Sequence, residues 1–217
     1  MEDKHELRMY GIVPYNISAI QQAIQFAHAV VEYGQMVKSE NPDVEWLEAN
    51  GQRYMHINNL MAPTISSLYN DWADNWKTFI ILNGGTSNHS INRYHEGDFV
   101  GTMEQHLEKL NEIGIVNATF NEPDLNDMLS AVVFIVDERV FNRKKYLDLG
   151  DWIWVNRGEY LTDRMITTQR IDKMYRNGYF QTDANKEERL LYSDWVESIG
   201  GEKNVRLRDF LNNLKLA

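Results

Sequence analysis

Apolar and polar residues follow one another along this chain in blocks that predict strands and helices in turn. Leu7 to Val13 (LRMYGIV) is a short apolar run closed by Pro14-Tyr15-Asn16, the form of a strand that turns into a helix. From Asn16 to Tyr33, Ile17, Ile20, Ile24, Ala27 and Val31 recur in alternating steps of three and four residues. That spacing puts them on one helical face and predicts that this face packs on the sheet. Trp76 to Leu82 reads as a second strand, and Thr102 to Gln105 (TMEQ) as a capping box opening a helix with Met103, Leu107 and Leu110 on its face and Gly114 as its stop. Ile115 to Phe120 is a third strand. Leu129 to Val136 is nearly continuously apolar, as in a strand buried on both faces. The expected fold class is α/β: a mixed, mainly parallel four-stranded sheet flanked by helices.

Two stretches fall outside that alternation. An insertion at about 34–75 contains the Asn41-Pro42-Asp43 turn, an expected short helix over Val44 to Asn50, an extended piece over Arg53 to Leu60, and a helix over Pro63 to Trp72. After 136 the pattern turns mostly helical. There Trp152 and Trp154 alternate as in a strand or arm, Ile166 to Tyr175 reads helical with Gly178 as its stop, Asn185 caps a helix carrying Leu191, Trp195 and Ile199, and Leu207, Phe210, Leu211 and Leu214 line a last helix. The expected division is a core over 1–136 and a helical extension over 137–217, packed on the core or in a dimer.

Composition narrows the functions. With 217 residues and 43% hydrophobic side chains the chain can bury a sizeable core. No run has the length and apolarity of a membrane span, and the charged MEDKHELR start is unlike a secretory signal. The absence of cysteine removes disulfides, thiolate catalysis and thiolate metal sites, and is compatible with a reducing cytoplasm, the expected location. A net charge of -10 argues against a broad nucleic-acid surface, because such surfaces are built from Lys and Arg. The densest basic stretches, Arg139 to Lys145 and Arg164 to Arg189, lie in the extension.

Candidate chemistry concentrates where strands end. Asn83-Gly84-Gly85-Thr86-Ser87-Asn88 offers backbone amides and polar side chains, although it is neither a GxGxxG nor a phosphate loop closing in Gly-Lys-Ser/Thr. Ligands in α/β sheets bind at the carboxyl ends of strands, so Tyr15 and Asn16 are expected to face this loop. An anionic or nucleotide-like ligand would then meet Tyr15, Asn16, Gln21, Gln25, Gly84, Gly85, Thr86, Ser87 and Asn88, with Arg93 or Arg53 neutralising a phosphate. The alternative is a plain loop whose glycines only let the chain leave the sheet. His89, His95 and His106, with Glu96 and Asp98, match no metal-ligand spacing, so neither a metal nor another cofactor is expected.

The Gln25-x-Ala27-His28-Ala29 string and the order of the strands around it resemble the class-two peptidyl-tRNA hydrolases of archaea and eukaryotes over roughly residues 7–136, less two insertions. In that family a lysine stands four residues before the helix glutamine and is assigned to the scissile ester; the matching position here is Gln21, a neutral amide. The family's acidic loop after the third strand falls on Glu122 to Asn126, so its acid is Glu122 or Asp124, and its glycine is missing. Ser18 and Gln21 also form a capping-box pattern, a structural use for the same glutamine. The pattern is similar as well to uncharacterised proteins of large tailed phages, where the cytoplasm would be the host's.

Three functions therefore stand side by side. One is a catalytically degenerate relative that binds or sequesters a small anionic or nucleotide-like ligand, as a phage anti-defence sponge would. Another is an active peptidyl-tRNA hydrolase acting through His28, Glu122, Asp124 and Gln21, the only case in which tRNA is a partner. The third is a structural or interaction module, for which a homo-oligomer is one expected assembly.

Overall fold

A computed structural model describes residues 4–39, 44–49, 52–57, 65–87, 101–156 and 169–217 other than 172, 176 and 178. It divides into two compact units, one of Met1–Asp137 with Asn212–Ala217 and one of Glu138–Leu211. The division differs from the sequence expectation at the C-terminus, whose last residues return to the first unit.

The first unit is built on a five-stranded sheet in the order β5-β6-β1-β4-β7. Its strands are β1 (Leu7–Val13), β4 (Thr78–Asn83), β5 (Asn117–Glu122), β6 (Met128–Asp137) and the short β7 (Lys215–Leu216). The α/β class holds, with the strand count raised from four to five by β7. Only β1 and β4 run parallel; β1 with β6, β5 with β6 and β4 with β7 are antiparallel. The connections explain this. The chain reaches β4 from β1 through a long crossover containing a helix, whereas β5 and β6 are joined by a tight turn that reverses direction.

Helix α1 (Ala19–Ser39) covers one face of the sheet through Phe26, Ala29, Tyr33 and Val37, which pack on Leu7, Met9, Val13, Ala131 and Val133. Burying each large side chain contributes about 1.5 to 3 kcal/mol. This is the reverse of the expected orientation. Ile20, Ile24, Ala27 and Val31 point away from the sheet, with Ile20 74% and Val31 57% exposed. The reason is steric and aromatic: Phe26 fills the space over Gly11, where an added Cβ would come within 2.1 Å of its ring, and meets Phe79 edge-on at 5.3 Å. The larger rings take the sheet face and the aliphatic stripe is left outside.

Between these elements, β2 (Val44–Ala49) and β3 (Gln52–Ile57) form an antiparallel hairpin. The helix expected over Val44 to Asn50 is thus a strand, consistent with Val44 and Trp46 on either side of Glu45 and with the Asn50-Gly51 turn signal. Helix α2 (Ile65–Asp71) runs into a π-helical turn, Trp72–Trp76, that ends on Lys77 in the left-handed conformation. Helix α3 (Thr102–Ile113) places Met103 beside Ile12, a residue that alternates with the α1-facing Gly11 and Val13, and so serves the opposite face of the sheet.

The second unit is helical: α4 (Glu138–Phe141), α5 (Leu149–Asn156), α6 (Phe180–Asp183), α7 (Lys186–Ser198) and α8 (Glu202–Asn212). Trp152 and Trp154 lie on α5, so the expected strand there is corrected to a helix. Residues 169–171 and 173–175 are helical, while 166–168 and Gly178 lie outside the described residues. Asn185 caps α7 in a reciprocal box with Glu188, as the sequence predicts. The core joins Ile153, Ile171, Tyr192, Trp195, Ile199 and Val205. The buried Arg208 guanidinium donates to the carbonyls of Arg139, Tyr146 and Leu147 and to Asp148, which satisfies a charge that would otherwise be costly to bury.

Candidate functional site

Two corners of the first unit gather the residues with candidate chemistry. The first is the glycine loop after β4. Gly84 N donates to Val13 O at 2.8 Å and Tyr15 N to Gly85 O at 2.9 Å, so the loops leaving the two parallel strands do face each other. Their donors, however, are consumed. Gly85 N donates to Asn83 Oδ1, Thr86 N to Thr102 Oγ1, and the Thr102 hydroxyl bonds Gly84 O. Ser87 is buried and its hydroxyl donates to Glu104. The expectation of free amides for an anion at Gly84, Gly85 and Thr86 is corrected by these bonds. The glycines are there for space and backbone angle: a Cβ on Gly84 would sit 2.3 Å from both Ile12 and Met103, and Gly85 has φ +80°. Thr102 also loses its expected capping role. Gly101 is the N-cap of α3 and, being a glycine, brings no side chain to it, while the Thr102 hydroxyl is bonded to the loop.

The start of α1 is closed in the same way. Ser18 N donates to Gln21 Oε1 at 3.0 Å and Gln21 N to Ser18 Oγ at 3.3 Å, the reciprocal capping box. Gln21 thereby holds the helix end rather than reaching a neighbour, and Gln22 donates to Pro14 O. Tyr15 and Asn16 are exposed beside it.

The second corner lies where α1 crosses β5 and β6. Gln25 is 6% exposed, and both ends of its amide are used: Nε2 donates to Glu122 Oε2 at 2.5 Å, and Oε1 accepts from Ser130 Oγ at 2.9 Å. Ser130 reaches the helix because of a register shift. Phe120 pairs with Ala131 and Asn121 with Leu129, so Ser130 is the extra residue of a β-bulge, turned toward α1 beside Ala131. Its hydroxyl also lies 3.0 Å from Phe120 O. With one proton and two acceptors, Ser130 ties the bulge to the buried amide.

Glu122, at the end of β5, is held from two sides: Oε2 by Gln25, and Oε1 by the backbone N–H of Asp124 at 3.4 Å in the turn Pro123–Leu125. It is half-buried, and two carboxylate oxygens have more acceptor capacity than these two donors fill. This bond also fixes the orientation of the amide, because a flipped Gln25 would set its oxygen against Glu122 Oε2. His28, one turn along α1, is exposed and rests its ring edge on Phe120 with centroids 4.5 Å apart. Asp124 is exposed, its side chain clear of the Gln25 amide bonds.

Of the sequence candidates, Gln25 and Glu122 are hydrogen-bonded to each other, and His28 and Asp124 flank the same corner. Tyr15, Asn16, Gln21, Gly84, Gly85, Thr86 and Ser87 belong to the other. Asn88, Arg93, His89, His95, Glu96 and Asp98 lie outside the described residues, as does the side chain of Arg53. Ser130 was missed. Its signal was present, a single hydroxyl inside the apolar run Met128–Val136. Among the described residues no group of three or more His, Asp or Glu is placed to hold a metal ion, and no helix is long and apolar enough to cross a membrane. No family model matches the chain, no curated protein matches it in sequence, and no solved structure matches its fold.

Proposed function

We propose that the first unit binds a small nucleotide-like molecule without turning it over, at the Gln25–Glu122 corner. The observation that carries this reading is the Gln25–Glu122 hydrogen bond, which joins residues 97 apart in sequence and commits a buried amide to positioning a carboxylate that still reaches solvent. A fixed carboxylate selects hydrogen-bond donors, so the ligand engages it by ribose hydroxyls or base N–H groups, with His28 beside it to meet the more polar end. The phosphate-first binding expected at the glycine loop is replaced by donor-first binding here, since the loop's amides are already bonded. Sequestration rather than turnover follows from the position matched to the family's lysine. Gln21 has no charge, and its amide oxygen is committed to the helix cap. In a phage, the role this gives is removal of a host nucleotide signal.

The test is thermal shift against nucleosides and mono-, di- and cyclic nucleotides with the parent, Glu122→Gln and Asn16→Ala. A compound should stabilise the parent and Asn16→Ala but not Glu122→Gln. If no compound shifts the parent, or if Glu122→Gln responds as the parent does, the reading is wrong. The second reading, peptidyl-tRNA hydrolysis, is favoured by the gathering of Gln25, His28 and Glu122, and turnover of peptidyl-tRNA that is abolished by Glu122→Gln would replace the first.

A further inference from the structure

The outward stripe of α1 has a pattern of its own. Ile17, Ile20, Ile24, Ala27 and Val31 are the residues whose spacing predicted a buried face, and the sheet takes the other side of the helix instead. Ile20, Ile24 and Val31 are 74%, 45% and 57% exposed, and Ala19, Ala23 and Ala27 between them are exposed too. Steps of three and four repeat every seven residues, the period with which one helix meets another along a seam; small alanines beside the aliphatic positions let the two backbones come close. On the helix the stripe runs from Ile20 to Val31, about 17 Å.

Charge decides what covers it. The chain carries -10 overall, yet between Arg8 and Glu32 there is no Asp, Glu, Lys or Arg. Every exposed position of α1 from Ala19 to Val31 is aliphatic, Gln or His. Nucleic acid and anionic lipid both require a basic rim that this face lacks, and a basic protein would be drawn to the acidic surface elsewhere. Two copies of an acidic chain repel each other except where both are uncharged, and a two-fold axis sets the same stripe against itself. We infer that the outer face of α1 is a self-association surface, where the Ile20–Ile24–Ala27–Val31 seams of two copies pack helix against helix. It is a different surface from the Gln25–Glu122 corner, which uses the inner edge of α1, and it stands on a separate observation. A seam about three turns long is smaller than an interface of about 800 Å² per partner, so the dimer is expected to be weak and concentration-dependent.

The chain has no cysteine, so Ile24→Cys gives a single thiol at the middle of the seam, close to its symmetry mate in a dimer. Under mild oxidation it should form a covalent dimer much faster than Leu190→Cys, a more exposed position on α7. Sedimentation at about 100 µM should show a parent species of twice the 25.5 kDa chain mass, and Ile20→Glu should move it to the monomer; at dilutions where both are monomeric the two should melt at the same temperature, because Ile20 touches solvent rather than core in the single chain. A monomeric parent at that concentration overturns the inference, as do equal cross-linking rates for the two cysteines or a dimer that survives Ile20→Glu. Because the cross-link is read on oxidised protein without any ligand, it fails or succeeds independently of the nucleotide reading.

Discussion

The glycine-loop corner and the Gln25–Glu122 corner differ in what remains after their internal bonds are made. Both are rich in polar groups at strand ends, and both are stitched by a buried hydroxyl or a threonine to a neighbouring element. In the loop, the amides of Gly84, Gly85 and Thr86 all have protein acceptors, and Ser87 is buried. In the other corner the stitching ends on a carboxylate with unfilled acceptor capacity at the surface. Polar residues at the end of a strand make a site only when a donor or acceptor is left over, and here one corner spends the amides of Gly84, Gly85 and Thr86 on holding the fold while the other positions a group it does not consume.

Substitutions separate the two corners, the largest effect coming from the closed one. Gly84→Val brings a side chain into Ile12 and Met103 and should lower stability by about 3 kcal/mol, at the upper end of what overpacking costs, as read from the urea midpoint. If the loop is purely structural, whatever folded fraction survives at low temperature keeps its ligand affinity. Ser130→Ala leaves the buried Gln25 Oε1 without its donor and should cost about 1 to 3 kcal/mol. The double variant Gln25→Leu with Ser130→Ala should lose less than the sum of the singles, because the apolar pair removes both halves of one bond; strict additivity would break the proposed coupling. Gln21→Ala loses one side of the capping box and should cost about 1 kcal/mol or less, and Gln21→Lys should produce no peptidyl-tRNA hydrolysis.

The smallest effect is at His106 on α3. Burial holds its imidazole below the ordinary value of 6.5, so the folded state resists the proton that the unfolded chain accepts. Its contribution to stability is full above that value and declines as pH falls through it toward the lower folded value. Denaturation curves from pH 8 downward should show this loss in the parent and a shallower one in His106→Gln.

The core was legible in the sequence where pattern and packing agree, in the strands Leu7–Val13, Thr78–Asn83, Asn117–Glu122 and Met128–Asp137 and the helices α1 and α3. It misled on α1, where the aliphatic stripe satisfied the helical period better than the true inner face of Gln25, Phe26, Ala29 and Tyr33. Period alone cannot tell which of two apolar stripes meets the sheet, since that depends on Gly11 opening room for Phe26. The helix expected over Val44 to Asn50 takes Gly51 as a helix stop, whereas the pairing of Val44–Ala49 with Gln52–Ile57 decides for a strand. Half of the candidate site was visible. Gln25 and Glu122 were named from the resemblance, but their bond depends on a bulge that no residue spacing announces, and the hydroxyl completing it was hidden inside an apolar run.

The central claim is that Glu122, positioned by Gln25, holds a ligand. The most direct measurement incubates the parent and Glu122→Gln with one nucleotide pool, desalts them, denatures them and identifies released small molecules by mass spectrometry. A nucleotide-like compound released from the parent in near-equal amount to protein, and absent from Glu122→Gln, is the predicted result. Equal release from both proteins, or none from the parent, would contradict it.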